Sequence, residues 1–178
     1  LTQKALAEGG RAMIYAAAQI ADRVFQAAWS GDQASYQRFD DELGFYTPIL
    51  KGFLTEMGLE AANLGMQVLG GHGYIREHGM EQIVRDARIA TLYEGTTGIQ
   101  ALDLLGRKVL LQTRGQCVRD FTRAMLALAR PHALSAGLMG RFARALIWRA
   151  WQWNGLTLRL MIQARRDKEQ VGAAAHDY

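Results

Sequence analysis

One short stretch of the chain combines a carboxylate, an adjacent glycine and the expected start of a helix. Within residues 89–100, Glu94 stands between an aromatic residue and a glycine, just ahead of two threonines. Such a loop presents a single acid, and the helix that follows offers free N–H groups to anionic ligands. Thr97 and Gln100 fit a capping box, which predicts a helix beginning near Gly98. In a water-poor pocket, a carboxylate presented in this way could act as a general base.

Simpler interpretations exist for each of these features. An acid near a helix N-terminus interacts favourably with the helix dipole and need not react. Gly70 and Gly71, considered alone, indicate the C-cap of a helix. His72 and His78 lack the partner spacing of a metal site, so no metal is predicted. Residues 85–88 contain two arginines and an aspartate, and we interpret them as a structural ion-pair group.

Helical periodicity runs through nearly the whole sequence, whereas alternating strand patterns are absent. A first helix is predicted over about residues 2–29, followed by a polar connection to about Gly44. Thr47 as N-cap and Pro48 at the first helical position then predict the start of a second helix. Gly70 is expected to end it. Its apolar seam has alternating steps of four and three: Leu50, Leu54, Met57, Ala61, Leu64 and Val68.

Further helices are predicted over about residues 80–88, 99–112, 118–129 and 138–167. Gly115 and Pro131 mark the breaks between the later ones. The last helix carries Trp148, Trp151 and Trp153, which we interpret as packing anchors or as part of an interface. The small residues at positions 172–175 predict a mobile tail. The buried face of the last helix is expected to contain Phe142, Leu146, Ala150, Trp153, Leu156 and Leu160.

Composition excludes several broad classes. The 178 residues can form a domain with its own core, and the net charge is +4. Clustered lysines and a recognisable motif are missing, so nucleic-acid binding is not expected. Arginines interrupt every apolar stretch, so no membrane span is expected. The single cysteine, Cys117, rules out an internal disulfide and fits a reducing compartment.

Three motifs, arriving in one order, resemble the C-terminal domain of the acyl-CoA dehydrogenases. They occupy residues 67–74, 85–89 and 93–96, and the likeness runs from about Thr47 to Lys108. The details of 98–104 are most similar to the longer bacterial branch of the family, with the methylmercaptopropionyl-CoA and larger fatty-acyl-CoA dehydrogenases. The resemblance implies an all-α helical bundle over residues 1–114 with an added helical extension over 115–178. It also implies that other domains of a longer chain are missing here.

The same resemblance assigns roles to individual residues. Glu94 would be the base that removes the α-proton of an acyl-CoA, and Tyr93 and Gly95 would line the thioester end of the pocket. A flavin would accept the hydride, because no side chain can do so. Two segments would contact FAD, the first across a dimer interface: Gln67, Val68, Leu69, Gly70 and Gly71, and then Thr96, Thr97 and Gly98. Many members of the family have an acid where this chain has Gly98, so the role that the acid's side chain would have is absent here.

The resemblance further implies partners and a location. An electron-transfer flavoprotein would reoxidise the FAD, the protein would be a homodimer or homotetramer, and it would lie in the bacterial cytoplasm. An acyl-CoA oxidase, which passes electrons to oxygen, remains an alternative that the rate of flavin reoxidation in air would separate. A non-catalytic flavoprotein or assembly module of the same fold is a second alternative, although retention of Glu94 argues against it.

Overall fold

The computed structural model describes residues 1–167, 169–175 and 177–178. The described residues are predominantly helical and contain no strand, which confirms the all-α prediction. They form two compact units, Leu1–Ala101 and Leu102–Tyr178. The division into a bundle and an extension near residue 114 stays a prediction.

The first unit is built around one long helix. A short helix, a 3-10 turn and a fourth helix follow it, and a loop then leads to the start of a fifth. The bounds are α1 (Thr2–Ser30), α2 (Gln33–Leu69), α3 (Gly71–Tyr74), the 3-10 turn (Arg76–His78), α4 (Met80–Ala90) and α5 (Thr97–Leu102).

Helix α2 begins earlier than the sequence indicated. The Asp32 carboxylate caps it by accepting a hydrogen bond from the backbone N–H of Ser35 at 3.0 Å. Pro48 therefore lies inside the helix, and Thr47 is no N-cap: its hydroxyl donates to the Leu43 carbonyl at 2.8 Å. The predicted polar connection up to Gly44 and the predicted helix start are both wrong. A proline inside a helix loses one hydrogen bond and crowds the carbonyl four residues before it, which costs about 3 kcal/mol. Here Pro48 is buried, and packing of the long helix on its neighbours offsets that cost.

A tight reversal at Gly31 places α1 against α2. Gly31 adopts φ 72° and ψ 13°, the left-handed conformation that ends many helices. Since only Gly31 and Asp32 separate the helices, α1 and α2 pack side by side in opposite directions. The predicted first helix is confirmed to within a residue. Its side chains against α2 are small or medium-sized: Gly10, Ala17, Ile20 and Ala27 are buried.

The predicted apolar seam of α2 is only half-buried within this unit. Val68, at its end, is 80% exposed, so this position was assigned wrongly to the buried face. The buried positions of α2 are instead Phe45, Pro48, Gly52 and Ala62. Residues of the seam line open grooves between α1 and α2, and one of them, about 590 Å³ in volume, runs along α2 from Phe53 to Gln67.

The second unit begins with an unusual helix. Residues Asp103–Gln112 are π-helical, and Arg114 and Gly115 then adopt positive φ angles of 50° and 77°. The remaining elements are α6 (Gln116–Ala129), a 3-10 turn (Arg130–His132), α7 (Gly137–Ala164) and α8 (Glu169–Ala175). None of the helices in the described ranges is both long and apolar enough to cross a lipid bilayer.

The packed face of α7 consists mainly of small residues. The predicted buried face is partly wrong, because Phe142 is 61% exposed and Leu156 is 37% exposed. The buried positions of this helix are mostly small residues, and several of its large side chains lie on the exposed side. The predicted mobile tail is also wrong, since residues 172–175 belong to α8 and Ala175 is buried. The buried positions of α7 are Gly140, Ala143, Ala150, Thr157 and Leu160.

The tryptophans of α7 divide between packing and exposure. Trp153 makes an edge-on contact with Phe121, with ring centroids 5.4 Å apart, so it is a packing anchor. Trp148 and Trp151 are 63% and 60% exposed, so the packing interpretation fails for them. The interface interpretation stays open for these two.

Gly73 allows α3 to pack closely on the end of α2, which generates a test of this fold. A Cβ added at Gly73 would lie 2.6 Å from the Met66 carbonyl oxygen, and backbone cannot easily move aside. We expect Gly73→Ala to lower the free energy of unfolding by about 1–3 kcal/mol.

Gly71→Ala is the matched control, because among the described atoms none lies within 4 Å of its added Cβ. Urea unfolding followed by circular dichroism measures both variants. Equal stability of the two would contradict the close approach of α3 to α2.

Candidate active site

The loop between α4 and α5 presents Glu94 in an unusual backbone conformation. Glu94 has φ 54° and Gly95 has φ 93°, and the Glu94 side chain is exposed. This left-handed backbone conformation is uncommon and strained for residues other than glycine, asparagine and aspartate. Such strain persists only where surrounding contacts enforce it. The contacts that enforce it here come from α2 and α5.

Lys51 of α2 ties both sides of the loop. Its half-buried ammonium group donates to the Ala90 carbonyl at 3.1 Å and to the Gly95 carbonyl at 2.6 Å. Ala90 ends α4, and Gly95 follows directly after Glu94. One side chain therefore spans the loop from the preceding helix to the residue after the acid.

The first turn of α5 packs on the same face of α2. Gly52 is buried, and a Cβ placed on it would lie 3.7 Å from the Thr97 methyl group. The Thr97 hydroxyl donates to the Glu56 carboxylate at 2.8 Å. Helix α5 begins at Thr97 itself. The expected capping box between Thr97 and Gln100 is wrong, because each side chain has another partner. The Gln100 side chain instead donates to the Glu94 carbonyl at 3.2 Å, so it reaches back into the loop.

The structure groups some of the predicted site residues and separates others. Glu94 and its neighbours Tyr93 and Gly95 share the loop, and Tyr93 is 52% exposed. Residues 96–98 continue directly into α5. Residues 67–71 run from the last turn of α2 to the first residue of α3. Gln67 is about 20 Å along α2 from Gly52 at 1.5 Å per residue. The two segments expected to contact FAD are therefore well apart within this unit.

Three residues of this site are absent from the sequence-based prediction. Lys51, Gly52 and Glu56 form the platform beneath the loop, and all belong to α2. Their signal in the sequence is faint: a lysine beside a glycine, adjoining the apolar seam. Neither residue type indicates a chemical role by itself, and the contacts lie 39 to 44 residues away.

The expected ion-pair group at residues 85–88 is wrong in detail. Arg85 pairs with Glu81 at 3.9 Å, whereas Asp86 accepts a hydrogen bond from Gln82. Arg88 donates to the Thr91 hydroxyl at 3.0 Å and so braces the start of the Glu94 loop. Helical spacing explains the outcome, since partners three or four residues apart share a face and adjacent residues do not.

Histidines add no metal site to this part of the protein. The rings of His72 and His78 meet edge to face, with centroids 5.4 Å apart. Among residues 1–167, 169–175 and 177–178, no three His, Cys, Asp or Glu side chains are grouped to bind a metal ion.

Burial raises the pKa of the Cys117 thiol, which favours its protonated form.

Comparison with known proteins identifies the family. The family model described as acyl-CoA dehydrogenase, C-terminal domain, matches residues 3–110. The chain belongs to the acyl-CoA dehydrogenase family. The match includes α1 to α5 and the loop that carries Glu94, so the likeness found in the motifs is confirmed over most of the chain.

Individual relatives support the same assignment. The chain is 41% identical over 149 residues to 3-methylmercaptopropionyl-CoA dehydrogenase of Ruegeria pomeroyi, covering 82% of this chain and 24% of that protein. It is 37% identical to a broad-specificity linear acyl-CoA dehydrogenase of Mycobacterium tuberculosis, covering 62% of this chain and 18% of the relative. A butyryl-CoA dehydrogenase of Syntrophomonas wolfei is 33% identical, with 63% and 18% covered.

The chain spans a quarter or less of the length of these relatives. The match to the Ruegeria protein covers 82% of this chain, which is more than the first unit, Leu1–Ala101, contains. The match therefore includes part of the second unit.

The strained conformation of Glu94 generates a test that is independent of chemistry. Glycine adopts a positive φ freely, whereas alanine pays about 1–2 kcal/mol for it. We expect Glu94→Gly to be more stable than Glu94→Ala by about 1 kcal/mol, since both remove the carboxylate.

Asp86 in α4 is the control, because there the order reverses: Asp86→Gly is less stable than Asp86→Ala by about 0.5–1 kcal/mol. Urea unfolding of the four variants gives both differences. The same order at the two positions would show that Glu94 is not held in the left-handed conformation.

Proposed function

We propose that this chain is the part of an FAD-dependent acyl-CoA dehydrogenase that carries the catalytic base, Glu94. The reaction is the α,β-dehydrogenation of an acyl-CoA thioester. Family membership supports the reaction class, and the observation that carries the residue assignment is the strained, tethered loop that presents Glu94.

The chemistry follows from what the loop offers. The exposed Glu94 carboxylate accepts the α-proton of the substrate, and it needs a fixed position to do so at a useful rate. Its backbone N–H donates to the thioester carbonyl and stabilises the charge that develops there. Tyr93 and Gly95 flank the acid and line the thioester end of the pocket.

Bound FAD would supply the hydride acceptor that no side chain provides. Thr96 and Gly98 are exposed at the start of α5, where a cofactor could reach them. The Thr97 hydroxyl already donates its hydrogen to Glu56, so Thr97 would offer FAD only its backbone and its oxygen lone pairs. The described atoms leave the space around Gly98, Gly70 and Gly71 open, so a flat or anionic group fits against their backbone.

The distance between the two FAD segments supports different contacts for each. Residues 96–98 would serve the cofactor beside Glu94. Residues 67–71, about 20 Å away along α2, would reach the FAD of a neighbouring subunit. Gln67 and its neighbours are exposed, as a contact to another subunit requires.

The whole protein would contain more than this chain. We propose residues 1–114 as the C-terminal bundle of the dehydrogenase and residues 115–178 as its helical extension. The walls of both pockets would come from further domains, as the greater length of the relatives suggests. An electron-transfer flavoprotein would reoxidise the FAD, and the protein would act in the bacterial cytoplasm.

Replacing the base tests this proposal. In the complete, FAD-loaded protein, Glu94→Gln keeps shape and hydrogen bonding but cannot accept the proton. We expect FAD and acyl-CoA to bind normally while flavin reduction slows by about two to four orders of magnitude. Stopped-flow absorbance of the flavin after mixing with an acyl-CoA panel measures the rate.

Glu77→Gln, an exposed acid in the 3-10 turn of the same unit, is the matched control and should reduce its flavin at the unmodified rate. Flavin bleaching by Glu94→Gln at a near-normal rate would refute the assignment of the base.

A homodimer or homotetramer is the assembly we propose. Trp148, Trp151, Leu158 and Ile162 recur at helical spacing on α7 and are each at least half exposed. Exposed apolar patches of this kind are typical of partner surfaces, and closed two-fold symmetry is the commonest way to cover them.

We expect multi-angle light scattering to give at least a dimer for this chain, and a smaller mass after Trp148→Asp with Trp151→Asp. Trp29→Asp, at an exposed tryptophan of α1, is the control and should keep the parent mass. A chain that stays monomeric up to high concentration would contradict assembly through this surface.

A further inference from the structure

Lys51 makes two hydrogen bonds, of which a lysine with a purely structural role in capping α4 would need only one. A lysine that merely capped α4 would need only the carbonyl at the end of that helix, here Ala90. The shorter of its two hydrogen bonds, 2.6 Å, goes instead to Gly95, beyond the end of α4 and directly after Glu94. Both acceptors are main-chain oxygens on either side of the acid.

These contacts fix the direction in which Glu94 leaves the backbone. Gln100 holds the Glu94 carbonyl and Lys51 holds the Gly95 carbonyl. Because a peptide unit is planar, fixing a carbonyl fixes the plane that contains it. Two successive peptide planes after Glu94 are thus set by side-chain donors, and the Ala90 bond sets the start of the loop.

We propose that Lys51 is a positioning residue for Glu94, holding the loop so that the carboxylate meets the α-carbon of the acyl-CoA. The inference rests on the proposed function for the identity of the reaction. Its structural half, the restraint of the loop by Lys51, stands on the geometry of the chain alone.

The first measurement is the rate of flavin reduction in the complete, FAD-loaded protein. Lys51→Met keeps the length of the side chain and removes its donors. We expect flavin reduction by bound acyl-CoA to slow about 10- to 100-fold, since displacement of a reacting group by about an ångström has that effect. The dissociation constant of acyl-CoA and the FAD content should change by less than about twofold, because the ammonium group of Lys51 donates to main-chain oxygens of Ala90 and Gly95.

Two further variants separate positioning from a general effect on folding. Lys51→Arg keeps donors at a similar reach and should recover part of the lost rate. Lys4→Met makes the same substitution at an exposed lysine of α1 and should leave the rate unchanged. If Lys51→Met loses FAD or precipitates, Lys51→Gln replaces it. Its side chain is one atom shorter than that of lysine and cannot donate to both carbonyls at the same reach, so flavin reduction should again slow, and an unchanged rate would overturn the proposal.

The second measurement is hydrogen exchange of the backbone amides at residues 91–97, made without substrate. Lys51→Met should speed exchange there several-fold and leave the centre of α2 unaffected. Unchanged exchange in the loop overturns the proposal whatever the enzyme does. Faster exchange with an unaltered rate of flavin reduction also overturns it, because the restraint would then not serve the base.

The outcome is distinguishable from failure of the proposed function. If Glu94→Gln reduces its flavin normally, Glu94 is not the base, and no effect of Lys51 on the rate can be ascribed to it. If Glu94→Gln is inactive while Lys51→Met is fast, the base is assigned correctly and the positioning role is refuted.

Discussion

The continuity of α2 through Pro48 is the constraint on which the first unit depends. Because the helix is unbroken from Gln33 to Leu69, one rigid surface receives α1, α3, α4 and the loop before α5. Had the helix started at Pro48, the surface that holds Lys51 would lie in a fraying first turn. The Asp32 cap and the packing of Phe45 and Pro48 in the core place that start far from the site.

The loop that carries Glu94 is consequently defined by long-range contacts more than by its own sequence. Residues 91–93 turn locally, with N–H groups at 92 and 93 bonded to Ile89. Beyond Tyr93 the backbone enters the left-handed region, and its carbonyls are held by hydrogen bonds from Lys51 of α2 and Gln100 of α5. A positive φ alone does not mark a functional residue, since Arg114 has one where the π-helical segment ends. The two differ in where their tethers come from: the Arg114 carbonyl accepts a hydrogen bond from Arg119, five residues away. Gly95, next to Glu94, is held by Lys51, 44 residues away.

Sequence reasoning succeeded where local chemistry determines structure. Gly70 and Gly115, which the sequence marks as helix boundaries, adopt positive φ angles of 59° and 77°, and helices are present on either side of each. The segment containing Glu94 was found from its motif, because the residue types that present an acid are adjacent in the chain. Site residues taken over from the family stand as proposals, since contacts with a substrate or cofactor lie outside this chain.

Several failures of sequence reasoning share one cause, which is tertiary packing that overrides a local signal. Thr47 and Pro48 form a good helix start, yet the cap at Asp32 and the core around Phe45 extend the helix past them. Phe142 has the spacing of a buried residue, but the packed face of α7 passes through its neighbour Ala143 and leaves Phe142 exposed. Lys51 had no recognisable role because its acceptors are main-chain atoms, which no sequence motif records.

That choice of acceptor has a consequence for how this site can evolve. Lys51 grips carbonyl oxygens that every amino acid possesses, so its hold does not depend on which side chains the loop displays. The positive φ at position 94 still restricts which residue can stand there, but the tether itself does not depend on the side chain. An aspartate or an asparagine, which tolerate that conformation best, could be presented from the same place with the same backbone.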